Sequence, residues 1–383
     1  MALRYKTDWI LFATVLAMVS FGVLVLYSAS SIMAKMEPRF GTSWYFVMRQ
    51  IFWAVLGIAA MMALKRTKYT RFNDPAIAFT AIGIVLMLLA VVYFADARHH
   101  RWLRITGPIG VQPSELAKPA LVVFLAFFVT WRGRALNNPR HTLIPAALSV
   151  GLVIFFVVVP DLGTAAVLGC TAMVVFFVAG LQWRYCFIVA GVAVLGLVVS
   201  IFAEPYRLAR VVKFFDSDFS IVSKFDPAGR IKARMEETLR TRDTNYQLEQ
   251  SQMALGAGGP AGLGLMNGRQ KLLYLPEAHT DFIYAVVGEE LGLAGSIGVL
   301  LGFALIFWRG VRTAFRMSDD FGRYLALGVT VVVVVQGLIN MSVVLGMMPT
   351  KGIPLPMISY GGSSLLSTLA LLGMLMNVSE HAG

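Results

Sequence analysis

In LPEAHTDFIYAVVGEELG, residues 275–292, three ionisable residues fall within five positions: Glu277, His279 and Asp281. Carboxylates and imidazoles are the side chains that most often move protons in general acid–base catalysis. The run from 281 to 307 is apolar and long enough to cross a bilayer, which takes roughly 20 residues. Ionisable groups at such a boundary are costly unless water, a partner or a substrate meets them. Thr280 and Asp281 also suit a helix N-terminus, but capping needs only one of them. On a helical wheel Asp281 shares a face with Ala285, Gly288, Gly292 and Gly295, so the carboxylate is expected to head a smooth groove. Such a stripe serves close helix packing or takes a lipid chain.

Four further patches have residue types that do chemistry. RWLRITGPIGVQPSELAKPA, 101–120, leads from a basic aromatic loop into a helix where Glu115 and Lys118 can pair on one face. A charge pair inside a span is either functional or a structural pair reaching for the interface. Asp161, in VVPDLGTAAV, occupies a very short turn and reads as a cap. GAGGPAGLGLMNGRQKLLYL puts six glycines between 256 and 268 ahead of Arg269 and Lys271. Backbone amides in such a segment can cradle phosphate oxygens, and the cations would strengthen the site. Neither GxGxxG after a strand nor GxxxxGK[ST] occurs there, so no nucleotide fold is implied. In GMMPTKGIPLPMISYGGSSLL, 346–366, Pro349, Pro354 and Pro356 forbid a continuous helix beside Lys351. Non-helical backbone this close to a membrane lines a cavity or is buried in protein.

The elements that must position these residues are transmembrane helices. Of the 383 residues 57% are hydrophobic and 14% charged, and the mean hydropathy of +0.71 excludes an ordinary soluble domain. Ten apolar stretches are expected to span: 9–27, 45–64, 76–95, 113–131, 142–159, 162–180, 183–203, 281–307, 322–346 and 361–378. The fold class is therefore an all-α polytopic membrane protein, one domain over 1–383, with a large loop, 204–280, between the seventh and eighth helices. The first stretch is too long for a signal-peptide core and reads as an uncleaved anchor.

Alternate short connections hold fourteen Lys and Arg on one side, from Arg4 to Arg323, and six on the other, from Lys35 to Lys351. That bias places both termini in the cytoplasm, and the 204–280 loop and Asp281 outside it. The net charge of +12 belongs to loops that meet anionic lipid, not to nucleic-acid binding. Cys170 and Cys186 lie in or beside apolar segments and offer no disulfide framework. His99 and His100 are adjacent, which is not a metal-ligand spacing on a helix, and no metal site is expected.

QPSELAK, PDLGT, ALGAGGPAGLGL, LPEAHTDFIYAVVGEELG and PTKGIPLPMISYGGSS occur in an order that resembles the SEDS family (shape, elongation, division and sporulation), integral-membrane peptidoglycan glycosyltransferases. The likeness covers nearly the whole chain. LPEAHTDF and VGEELG are more similar to the division branch than to the elongation branch, where an arginine commonly stands at the position of Ala278. One stretch departs from the family pattern: FSIVSKFDPAGRIKARMEETLRTRDTN, 219–245, is long, of mixed charge, and reads as a surface helix.

The resemblance implies polymerisation of lipid II at the outer face of the cytoplasmic membrane, with inversion and release of undecaprenyl pyrophosphate, during cell division. Such a transfer takes a base for the attacking hydroxyl and positive charge for the leaving group. By resemblance Asp281 is the base; Arg207, Arg210, Lys271 and Lys351 are candidate pyrophosphate cations, because delocalised negative charge invites Arg or Lys contacts. Glu115 and Lys118 are expected to shape the cavity, and His279, Thr280 and Ser359 to complete the substrate-binding set. No cofactor is expected, because the pyrophosphate linkage already stores the driving force; a divalent cation bridging pyrophosphate would leave little trace in sequence. The implied partners are a class B penicillin-binding protein, which supplies the transpeptidase, and other membrane proteins of division. Two other classes share some of these features, a lipid II flippase and a noncatalytic division scaffold. A flippase needs polar groups along a path from both faces, whereas the motifs here gather on one side; Gln336 and Asn340 are the main polar exceptions in an apolar run.

Overall fold

The computed structural model describes residues 7–37, 40–95, 102–106, 109–203, 205–216, 244–272, 274–349 and 352–382. The N-terminal half contains α1 (Trp9–Met36), α2 (Tyr45–Arg66), α3 (Pro75–Ala95), an antiparallel hairpin of β1 (Leu103–Thr106) and β2 (Ile109–Val111), α4 (Pro113–Arg132), α5 (Ile144–Val158) and α6 (Leu162–Val178). After it come α7 (Trp183–Ala203), α8 (Pro205–Phe215), α9 (Thr244–Gly258), α10 (Ile283–Arg316), α11 (Asp320–Val344) and α12 (Gly362–His381). Among the described residues nine helices are long and apolar enough to cross a membrane. The expected span at 162–180 forms α6, whose 17 residues leave it outside those nine, whereas α5 reaches 20 residues together with the π-helical turn Pro139–Leu143 ahead of it. Most of the charged stretch 219–245 lies outside the described residues, as do His99, His100 and Lys351.

Helices α4, α11 and α12 are buried over most of their length and form the centre, while α7 exposes nearly all of its surface. The two chain ends meet. Thr7 donates to Glu380 at 2.8 Å, Lys65 pairs with Glu380 at 3.1 Å, and Arg309 pairs with Asp8 at 2.7 Å. Helix α6 runs between the same two ends of the bundle as α4. Its N-cap Asp161 accepts from Thr164 N at 3.0 Å and from Gln112, just ahead of α4, at 3.4 Å; beyond its C-terminus the Gly180 carbonyl accepts from Asn137 at 3.1 Å. The capping role expected for Asp161 is what its side chain performs.

Helix α10 departs from the sequence expectation at two points. It begins at Ile283 with Phe282 in the N-cap position, so Asp281 lies ahead of the helix. Gly292 then breaks it, with φ of 63° and ψ of −154°. That conformation is open to glycine and strained for other residues. The break frees Leu293 N–H, which donates to the Gly259 carbonyl at 3.1 Å. The stripe from Asp281 to Gly295 is therefore not one helical face. Its Gly288 is covered by α9: a Cβ on Gly258 would stand 2.0 Å from the Gly288 carbonyl oxygen, so only glycine permits this approach. The groove predicted below the carboxylate is filled by the chain's own helix, the packing use of small residues.

Candidate active site

Asp281 belongs to a tight turn. Glu277 has φ of 56°, and its carbonyl accepts from Thr280 N at 3.1 Å and Phe282 N at 3.3 Å. Thr280 Oγ1 donates to the Glu277 carboxylate at 2.7 Å. The proline-bearing loop after α11 packs on this turn and is stitched to it residue by residue. Ser359 Oγ donates to the Thr280 carbonyl at 2.6 Å and accepts from Leu355 N at 2.8 Å, while Tyr360 N donates to the His279 carbonyl at 3.0 Å. From α2, Gln50 Nε2 reaches the Ser359 carbonyl at 3.1 Å. His279 is buried, its ring centroid 4.7 Å from that of Phe46 and 5.9 Å from that of Tyr360. Burial lowers the His279 pKa from its ordinary value, with the nearby Glu277 charge opposing, and keeps the ring neutral at pH 7.

The Asp281 side chain is half-buried and stands against Gly352: a Cβ there would come within 2.7 Å of Oδ2. From α11, Asn340 Nδ2 donates both to the Asp281 carbonyl at 2.8 Å and to the Ile353 carbonyl at 2.7 Å. One turn earlier, Gln336 Nε2 donates to the Pro354 carbonyl at 2.8 Å, and Gln336 Oε1 accepts from Lys118 Nζ at 2.7 Å. Lys118 is paired with Glu115 at 2.7 Å, both side chains being 1% exposed, and Ser367 Oγ donates to the same carboxylate at 3.1 Å. The expected Glu115–Lys118 pair thus exists, fully enclosed between α4, α11 and α12. Pro119 in α4 removes the N–H that would bond the Glu115 carbonyl.

The glycine-rich segment builds a separate cluster. Lys271 pairs with Glu290 at 2.5 Å, again with both side chains 1% exposed. Ser28 of α1 donates to Glu290 Oε1 at 2.6 Å, Lys271 Nζ donates to Ser28 Oγ at 2.8 Å, and Met266 N donates to Glu290 Oε2 at 3.2 Å. The neighbouring Glu289 Oε1 accepts from Arg269 N at 2.6 Å and Gln270 N at 3.1 Å. The backbone amides expected to cradle phosphate therefore cradle two carboxylates of the chain itself, and the Lys271 ammonium is already neutralised. Of the other expected cations, Arg207 and Arg210 lie on α8, Arg210 half-buried.

Residue by residue, Asp281, His279, Thr280 and Ser359 come together in one network, and Glu115 and Lys118 join it through Gln336. Lys271 belongs to the other cluster. Glu289, Glu290, Ser28 and Gln50 were not singled out from sequence, although two adjacent glutamates in an apolar run were a visible signal.

Residues 8–383 match the family described as "Cell cycle protein", FtsW/RodA/SpoVE. The chain belongs to that family. A protein of Geobacter metallireducens named "Probable peptidoglycan glycosyltransferase FtsW" is 37% identical over 381 residues, which cover 98% of this chain and 95% of the relative. "Stage V sporulation protein E" of Bacillus subtilis is 33% identical, covering 99% and 98%. Among solved structures, a chain described under "Structural coordination of polymerization and crosslinking by a peptidoglycan synthase complex" superposes with a TM-score of 0.75 at 28% identity, covering 98% of both chains. The crystal structure of Thermus thermophilus rod shape determining protein RodA gives a TM-score of 0.66 at 27% identity, again over 98% of both.

Proposed function

We propose that this chain is a peptidoglycan glycosyltransferase of cell division that polymerises lipid II, with Asp281 as its general base. One observation carries the reading: in a chain of this family, a carboxylate just ahead of a helix is packed against non-helical backbone and held through its own carbonyl. Asp281 accepts the proton of a sugar hydroxyl on one lipid-linked disaccharide. The hydroxyl oxygen bonds to the anomeric carbon of a second, and the bond from that carbon to the pyrophosphate breaks with inversion. Arg207, Arg210 and Lys351 are the proposed cations for the leaving group. Lys271 is engaged instead by Glu290, which matches its charge, and by Ser28. The helix dipole acts within the first turn, and the place of Asp281 ahead of the N-cap limits how far it weakens the base. The reaction draws on the pyrophosphate linkage and needs no nucleotide.

The proposed topology is one membrane domain with 204–280 as its outer loop. Chain ends that touch require an even number of crossings, which supports counting α6 as the tenth. The excess of Lys and Arg at that end supports cytoplasmic termini and an extracytoplasmic Asp281. The similar chain in a synthase complex that coordinates polymerization and crosslinking supports a class B penicillin-binding protein as partner; the proposed docking surface is the outer half of the later spans. Against a flippase, the two polar exceptions within α11 are engaged by Lys118 and by loop carbonyls and do not line a path. Purified protein given labelled lipid II, with increasing class B penicillin-binding protein, should make glycan strands at a rate that saturates. Full activity without the partner, unchanged on adding it, would remove the activation model. Lipid II translocation across vesicles with no polymer would remove the polymerase reading.

A further inference from the structure

We propose that Asn340 and Gln336, two amides one helical turn apart on α11, are positioning residues for the reaction: Asn340 holds the backbone on both sides of the Asp281 carboxylate, and Gln336 ties the adjoining Pro354 carbonyl to the buried Glu115–Lys118 pair. The proposal rests on Asp281 being the base. Asn340 is 1% exposed, and both hydrogen bonds from its Nδ2 go to carbonyl oxygens. Two carbonyl partners fix the amide orientation, since only the NH2 end donates. Its Oδ1 is buried without a hydrogen-bond partner among the described residues, so the residue is used for its donors alone. One bond holds Asp281 from within its own residue, and the other holds Ile353, next to the Gly352 that touches the carboxylate.

Gln336 extends the same tie. It holds Pro354 with its NH2 and accepts from Lys118 with its oxygen, so each end of the amide has one partner. Lys118, in turn, is set by Glu115 and through it by Ser367 of α12. The distance between the Asp281 carboxylate and the backbone facing it is thus referred to the rigid centre of the helix bundle. This goes beyond interhelical bonding, because the partners on the outer side are loop carbonyls whose place decides where the base stands. A misplacement near 1 Å at a reacting group costs on the order of 100-fold in rate.

The test uses the full-length protein in lipid nanodiscs with its transpeptidase partner and labelled lipid II. Asn340→Leu and the isosteric Asn340→Asp should each lower kcat by about 30- to 100-fold with KM within about twofold. The rising limb of the kcat–pH profile should move by at least about half a unit, as expected when the surroundings of a base change. Glu277 and His279 on the same turn, and Lys351 beside Gly352 in sequence, are untouched by these changes. The Asp281 carboxyl band, assigned by infrared difference against Asp281→Asn, should shift its titration midpoint in step. Should an Asn340 variant not fold, Gln336→Glu keeps an acceptor for Lys118 and replaces the donor to Pro354 by a carboxylate oxygen. It should lower kcat about tenfold, the lesser effect expected where one positioning bond is lost. Unchanged kcat, pH limb and carboxyl midpoint would overturn the inference, as would a change confined to KM. Normal polymerisation by Asp281→Asn would overturn the base assignment instead, while the carboxyl midpoint in Asn340→Leu would still decide the coupling.

Discussion

Glu290 is the residue whose loss the structure prices most clearly. Its carboxylate is enclosed and receives Lys271, Ser28 and the Met266 amide, so Glu290→Ala strands a buried ammonium with one hydroxyl for company. Removing one member of a buried ion pair costs about 3–5 kcal/mol. The cost should be local, because two of the three partners, Lys271 and the Met266 amide, belong to the segment folded over the break at Gly292. At about 1.4 kcal/mol per factor of ten, the amides of 264–272 should exchange with deuterium roughly 100- to 4,000-fold faster. Hydrogen exchange on protein in lipid nanodiscs reads this directly. A neutral double variant, Glu290→Gln with Lys271→Met, should recover more than half of the lost protection, since no charge is left unpaired. Exchange within threefold of wild type in Glu290→Ala would refute the clamp. So would an equal loss of protection in α4 and α12, which would make the effect global.

Other outcomes follow from the same geometry. Glu115→Ala leaves Lys118 with Gln336 alone and should cost stability by about 3–5 kcal/mol; the swap Glu115→Lys with Lys118→Glu should regain part of it in thermal melting if pairing is the whole role. Gly352→Ala places a methyl 2.7 Å from Asp281 Oδ2 and should lower polymerisation at least about tenfold with little change in melting temperature. His279 has its folded pKa lowered by burial, so the unfolded chain takes up the proton first as pH falls. Its contribution to stability is complete above the unfolded pKa of about 6.5 and declines below it. Melting temperature should therefore fall from pH 7 to pH 5, and His279→Phe should flatten that decline.

The spans were legible because apolar length is a local property: the expected stretch 183–203 and α7 have the same limits. Glu115 and Lys118 were legible as a pair because they are three residues apart on one helix. The break in α10 was not, since an isolated glycine is also tolerated inside helices and the contact that fixes it comes from Gly259 and Gly262 of a distant turn. Lys271 reads from sequence as an available cation. Its neutralisation depends on Glu290, 19 residues on, and on Ser28, 243 residues earlier, and no local pattern encodes either meeting. The polarity of Gln336 and Asn340 was visible, but the partners of their NH2 groups are backbone carbonyls, which every residue has.

Asp281→Asn keeps the size of the side chain and the carbonyl that Asn340 holds, and removes the basicity. Wild type and variant, matched for membrane insertion and saturated with the same class B penicillin-binding protein, should be compared for glycan strands formed from labelled lipid II. The expected result is strand formation by wild type and none by Asp281→Asn, with lipid II binding and melting temperature retained. Strand formation by the folded variant at near wild-type rate would contradict the assignment of Asp281 as the base.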